Sequence, residues 1–102
     1  MDSPFFCDMS AMNADERANH RALAKALRSE VAEVREIADG YAIRFPTEAS
    51  TAVQLVEFAT LERLCCPFFT LAIEMERNRG PVWLKVTGEE GIKPFIRAEF
   101  GF

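Results

Sequence analysis

Two pairs of β-prone segments, each joined by a tight turn, are the feature that most limits how this chain can fold. Residues 31–37 and 41–45 flank Asp39-Gly40, a dipeptide typical of short hairpin turns. Residues 69–75 and 82–86 alternate apolar and polar side chains on either side of a second turn at residues 77–80. The sequence therefore predicts two β-hairpins.

Three helical segments surround these hairpins. A capping-box pattern at Asn13 predicts a first helix over residues 14–29, and a second is predicted over residues 49–66. A third is predicted over residues 89–100, and Pro94 should kink or shorten it. The element order α-β-β-α-β-β-α predicts an α+β fold, with a four-stranded, mostly antiparallel sheet and the helices packed on one face.

Length, charge and hydropathy limit the class of protein. The 102 residues are expected to form a single domain over residues 1–102, with residues 1–12 as an N-terminal arm that carries Cys7. The net charge is −4 and the basic residues are scattered, which argues against a nucleic-acid partner. We find neither a run of roughly 18 to 20 apolar residues nor a signal-peptide pattern. We therefore expect a cytoplasmic protein without a membrane partner.

Adjacent cysteines, Cys65 and Cys66, close the predicted second helix and precede Pro67. Thiols are soft nucleophiles and soft metal ligands, so this is the strongest candidate for chemistry. A bond between the two is disfavoured, because adjacent Cα atoms lie about 3.8 Å apart and disulfide-bonded residues usually about 4.4 to 6.8 Å apart. A reducing cytosol also keeps cysteines reduced. The sequence thus predicts free thiols.

Glu62 falls on the inward face of the second helix, one turn before the cysteines. A carboxylate that is buried, charged and unpaired costs several kcal/mol. In one interpretation, Glu62 accepts a hydrogen bond or proton at the site, or ligates a metal beside the thiols. In the other, it is a rim residue paired with Arg63, Arg17 or Arg21. Both interpretations stay open at this point.

A metal site forms if the N-terminal arm folds back over the end of the second helix. Its three thiolates and a fourth ligand suit Zn, Cu(I) or a heavier thiophilic ion. The candidate ligands are Cys7, Cys65, Cys66, Glu62 and His20. Neighbouring helical positions are about 100° apart, so two adjacent sulfurs diverge unless the helix frays at Pro67.

The chain resembles a family of small bacterial proteins with no established activity. The resemblance rests on an early cysteine at Cys7, a D-G-Y hairpin at residues 39–41, an E-R-x-C-C-P-F motif at residues 62–68 and an L-x-x-T-G stretch at residues 84–88. It covers nearly the whole chain, and the cysteine motif is its specific part. The resemblance implies an intact domain with a cysteine site and implies no particular reaction.

Three function hypotheses follow. The first is a cytoplasmic thiol protein that binds a soft metal or metalloid ion through Cys65 and Cys66, with Cys7 completing the site. The second is a thiol-dependent redox enzyme or sensor, which requires a low thiol pKa. The third is a non-catalytic homodimer that pairs through Trp83 on the outer sheet face or through the aromatic tail at residues 100–102. No established catalytic motif occurs, so the sequence does not favour an enzyme.

Overall fold

The computed structural model describes residues 5–102 and confirms the α+β fold with the element order α-β-β-α-β-β-α. The first four residues of the predicted arm lie outside the described residues. After a 3-10 turn at Met9–Ala11, the elements are α1 (Ala14–Arg28), β1 (Glu33–Ile37), β2 (Gly40–Phe45), α2 (Ala49–Cys65), β3 (Thr70–Met75), β4 (Val82–Thr87) and α3 (Ile92–Phe100).

The four strands form one antiparallel sheet in the order β1-β2-β4-β3. Leu84 of β4 lies opposite Ile43 of β2 on one side and Ile73 of β3 on the other, so one apolar row crosses three strands. This row faces the helices, where Leu55 of α2 and Ile96 of α3 complete the core. The prediction of an antiparallel sheet with helices on one face is confirmed.

Local sequence signals explain the first helix. The Asn13 side chain accepts a hydrogen bond from the Glu16 N–H at 2.8 Å, and the Glu16 carboxylate accepts one from the Asn13 N–H at 2.9 Å. This reciprocal capping box satisfies two N–H groups that the helix leaves unpaired. From the cap, α1 carries Leu23 and Leu27 into the core one turn apart.

The third helix begins later than predicted because Pro94 belongs to its first turn. α3 starts at Ile92, after Gly91 in the left-handed conformation, so Pro94 is its third residue. Backbone N–H groups in the first turn have no partner within the helix. A proline at this position therefore costs no helical hydrogen bond. Pro94 therefore shortens the helix without kinking it. Among residues 5–102, no helix has the length and apolar content needed to cross a bilayer.

Trp83 lies on the outer face of the sheet, as its alternation with Val82 and Leu84 predicts, but only 5% of it is exposed. The Arg35 guanidinium lies 4.8 Å above the ring, and Trp83 Nε1 donates a hydrogen bond to Glu76 at 2.9 Å. Neighbouring charged side chains, rather than a helix, cover the indole. The homodimer through this face stays a prediction.

Candidate metal centre

The end of α2 brings the two adjacent cysteines together. α2 ends at Cys65, and Cys66 has φ −126° and ψ 69°, outside the helical region. The Cys66 N–H still donates to the Glu62 carbonyl at 2.8 Å, so its position is held. The two Sγ atoms consequently lie 3.9 Å apart. The divergence expected for two helical neighbours is absent because the second cysteine has left the helix before Pro67.

The N-terminal arm folds back over this helix end. The Asp8 N–H donates to the Cys65 carbonyl at 2.9 Å, and the ring of Phe5 packs 5.1 Å from that of Phe68. Through these contacts, Cys7 meets Cys66 across 59 residues of sequence, and the two form a disulfide with a Cα–Cα distance of 5.0 Å.

The disulfide corrects one prediction and supports another. The expectation that all three cysteines are free thiols is wrong for this structure, because Cys7 and Cys66 are bonded. The backfolded arm supplies a partner at the right distance, which sequence spacing alone does not reveal. Cys65 remains a free thiol, and no disulfide joins it to Cys66, as the Cα–Cα distance of adjacent residues predicts.

Four side chains converge at this point of the fold. The sulfurs of Cys7, Cys65 and Cys66 and a carboxylate oxygen of Glu62 all lie within 4.8 Å of one another. Cys65, Cys66 and Glu62 are buried, and Cys7 is half-buried. Sulfur and carboxylate ligands in one tight group could hold a metal ion.

His20 binds Glu62 from the opposite side. The His20 Nε2 and Glu62 Oε2 atoms lie 2.5 Å apart, and the imidazole stacks on Phe58 with ring centroids 5.2 Å apart. A carboxylate oxygen accepts hydrogen bonds, so we assign the Nε2–H group as the donor. His20 faces the core, as its spacing predicts, but it contacts the carboxylate and is not one of the four converging ligand groups.

Glu62 is therefore not the rim residue that one interpretation of the sequence described. Only 1% of it is exposed, and its ion-pair partner is His20 rather than an arginine. Among residues 5–102, its second oxygen, Oε1, is buried without a hydrogen-bond partner. Buried polar atoms are rarely left unpaired, and an ion or a ligand is one reason for such an exception.

The Cys65 thiol holds its proton tightly. Burial is the main cause, and the negative charges of Glu62 and Glu99 add to it, so that the pKa of Cys65 is raised to about 11. A thiol that stays protonated at neutral pH is a poor nucleophile. The electrostatics of the site therefore do not favour Cys65 as a catalytic residue.

Glu99 is a residue near the site that the sequence analysis missed. It lies half-buried on α3, and burial, followed by the charge of Glu62, raises its pKa. A signal was present in the sequence: Ile92, Ile96 and Glu99 follow the i, i+4, i+7 spacing of a single helix face. Since both isoleucines are buried, the same spacing directs Glu99 inward.

Comparison of the chain with protein-family models, curated proteins and solved structures gives no match. The resemblance to a family of small bacterial proteins therefore stays a prediction.

Proposed function

We propose that this protein binds one soft metal or metalloid ion through the thiolates of Cys7, Cys65 and Cys66, with the Glu62 carboxylate as fourth ligand. The observation that carries the proposal is the convergence of these four ligand groups within 4.8 Å at the buried end of α2. Thiolate sulfur and carboxylate oxygen are both ligand types that Zn(II) accepts, and thiolates also suit Cu(I) and heavier thiophilic ions.

A bound cation would remove the electrostatic conflict within the site. Burial and the charge of Glu62 both oppose ionisation of Cys65. A metal ion reverses this balance, because it deprotonates a coordinating thiol and neutralises nearby negative charge. It would also give the unpaired Glu62 Oε1 a partner. The features that disfavour a reactive thiol are thus compatible with a metal-bound thiolate.

His20 serves this site best as a positioning residue. Metal ligands are commonly oriented by an outer hydrogen bond, and loss of such a bond typically lowers metal affinity about 10- to 100-fold. The His20 ring already holds one carboxylate oxygen of Glu62 and packs on Phe58. His20 is not among the groups that converge within 4.8 Å, whereas Glu62 is. We therefore assign the fourth position to Glu62.

Metal binding and the Cys7–Cys66 disulfide exclude each other, since each uses the same sulfurs. Reduction of the disulfide by two electrons from a dithiol reductant gives two thiols, and the three thiols lose their protons when they bind the ion. The proposed function therefore belongs to the reduced protein, in a reducing compartment such as the cytoplasm.

The test is a competition titration of reduced protein with Zn(II) against a chromophoric chelator. Cys65→Ser and Cys66→Ser should each abolish stoichiometric binding, and His20→Gln should weaken it about 10- to 100-fold. Glu90→Gln, a change at an exposed residue outside the ligand set, serves as the control and should bind as the wild type does. Unaltered binding in both serine variants, with circular dichroism showing an intact fold, would overturn the proposal.

A thiol-dependent redox role has one supporting observation. The free Cys65 Sγ lies 3.9 Å from Cys66 Sγ of the disulfide, close enough for thiol–disulfide exchange after a small movement. Exchange requires a thiolate, however, and the raised pKa and full burial of Cys65 oppose one. We rank this function below metal binding.

A further inference from the structure

A mainly apolar cavity of about 210 Å³ is lined by residues of the helices and the sheet, and Glu62 belongs both to this lining and to the cysteine cluster. Eleven of its sixteen lining residues are apolar, and none is a cysteine. The lining includes exposed Arg28 and Phe102 as well as buried Leu55 and Leu84. The metal-binding proposal leaves this cavity unassigned.

The polar groups of the inner wall are mostly hydrogen-bond acceptors. Glu62 and Glu99 both line the cavity, and Glu62 Oε1 is buried without a partner among residues 5–102. His20, the other inner polar residue, already donates to Glu62 Oε2. Glu99 and Glu62 also share a side-chain hydrogen bond, which helps to raise the pKa of Glu99 and requires a proton on one of the two carboxyl groups. An ammonium group in the cavity would donate to both carboxylates in place of that proton.

We propose that this cavity binds a small amine, with an apolar body of about one aromatic ring and an ammonium group that donates hydrogen bonds to Glu62 and Glu99. This site goes beyond the proposed metal function and does not depend on it, but the two share Glu62, so one oxygen of that carboxylate cannot serve the metal ion and the ammonium group at the same time. Apolar walls with a few convergent polar groups are the usual composition of a small-molecule site.

The size of the cavity sets the size of the ligand. A cavity of about 150 Å³ lined by apolar side chains accommodates a benzene molecule. The 210 Å³ found here leaves room for one ring and a short aminomethyl arm. The rings of Phe58 and Phe100, whose centroids lie 6.2 Å apart at an interplanar angle of 72°, would contact an aromatic body.

An anionic ligand is the main competitor, because Arg21 and Arg28 also line the cavity. Both arginines are exposed, so solvent and salt screen their charges. Glu62 is buried and Glu99 half-buried, and interactions with such groups are screened much less. An anion would also leave Glu62 Oε1 unpaired. The inner carboxylates therefore favour a ligand with a positive charge.

The test is a titration of the disulfide-bonded, metal-free protein with benzylamine, followed by ¹H–¹⁵N NMR. The backbone amide signals of Leu27, Phe58 and Phe100 should show chemical-shift changes that saturate as benzylamine is added. Glu99→Gln should weaken binding about tenfold, as expected for loss of a charge-assisted hydrogen bond, and the exposed control Glu90→Gln should have no effect. Ala24→Trp, which places an indole in the cavity, should abolish binding.

Benzyl alcohol and benzoate are the matched probes, because they keep the ring and change only the polar group. Equal affinity for either one would overturn the assignment of an amine. The absence of saturable benzylamine shifts, or wild-type affinity in a folded Ala24→Trp protein, would overturn the site. If Ala24→Trp fails to fold, Glu99→Gln decides: wild-type affinity in that variant contradicts the proposal. No metal is present, so these outcomes are independent of the metal titration.

Discussion

His20 on α1 and Glu62 on α2 form a buried hydrogen-bonded pair, with 2.5 Å between Nε2 and Oε2, that links the two helices inside the core. Removal of one partner leaves the other buried without compensation. We expect His20→Ala to lower the free energy of unfolding by about 3–5 kcal/mol in urea denaturation. The double variant His20→Leu/Glu62→Leu should lose much less than the two single variants combined, since apolar pairs often replace buried ion pairs at little cost.

Asn19 provides the matched control for this pair. Its side chain donates to Glu57 at 2.7 Å and links the same two helices, but the contact is exposed. Asn19→Ala should therefore change the free energy of unfolding by no more than about 0.5 kcal/mol. Equal losses of unfolding free energy in Asn19→Ala and His20→Ala would show that the buried pair stabilises the fold no more than the exposed contact does.

The Cys7–Cys66 disulfide closes a loop over 59 residues and holds the N-terminal arm on the helix end. From the loop length, its removal should cost about 4 kcal/mol, within the usual range for native disulfides. We expect Cys7→Ser to show this loss in urea denaturation under oxidising conditions. Cys65→Ser, which removes no disulfide, should retain the stabilisation. A Cys7→Ser midpoint equal to that of the wild type would contradict the bond.

Cys65 should react slowly with iodoacetamide in the native, oxidised protein at pH 8, because its pKa is raised to about 11 and it is buried. The reaction rate should keep rising with pH towards that value, whereas the thiol of the urea-unfolded chain should level off near the usual pKa of about 8.5. Because the folded pKa is the higher one, the associated stability is fully present below pH 8.5 and is lost as the pH rises through 11. Rapid alkylation of the native protein at pH 8 would contradict the burial of this thiol.

Gly40 in the first hairpin has no room for a side chain. A Cβ at this position would overlap the carbonyl oxygen of Val86 and lie 2.9 Å from the Cα of Thr87. Since backbone cannot rotate away, we expect Gly40→Ala to destabilise the fold by about 1–3 kcal/mol or more. Ala38→Ser, an exposed change in the same turn, should stay within about 0.5 kcal/mol of the wild type. Thermal unfolding of both variants separates the two effects.

Local signals predicted most of the fold because they act over a few residues. The capping box at Asn13, the turn at Asp39-Gly40 and the pairing of both hairpins each involve close neighbours in sequence, and the structure contains all of them. The start of α3 was less predictable, because Pro94 is compatible with either a kink or a first-turn position.

The site was harder to predict because its contacts join distant parts of the chain. Helical periodicity correctly predicted that His20 and Glu62 face inward. Their pairing across 42 residues, however, depends on how α1 packs on α2. Likewise, the partner of Cys66 depends on the path of the N-terminal arm, which carries no regular periodicity. Helix periodicity assigns a face to each residue, and only tertiary packing determines which faces meet.

The central claim is that Cys7, Cys65, Cys66 and Glu62 form one metal site, and native mass spectrometry tests it most directly. Protein reduced with a phosphine and then given excess Zn(II) should carry a single zinc ion, which acid removes. The disulfide-bonded protein, treated in the same way, should carry none, because two of the three sulfurs are no longer available. A metal-free mass for the reduced protein, or equal zinc binding in both redox states, would contradict the account.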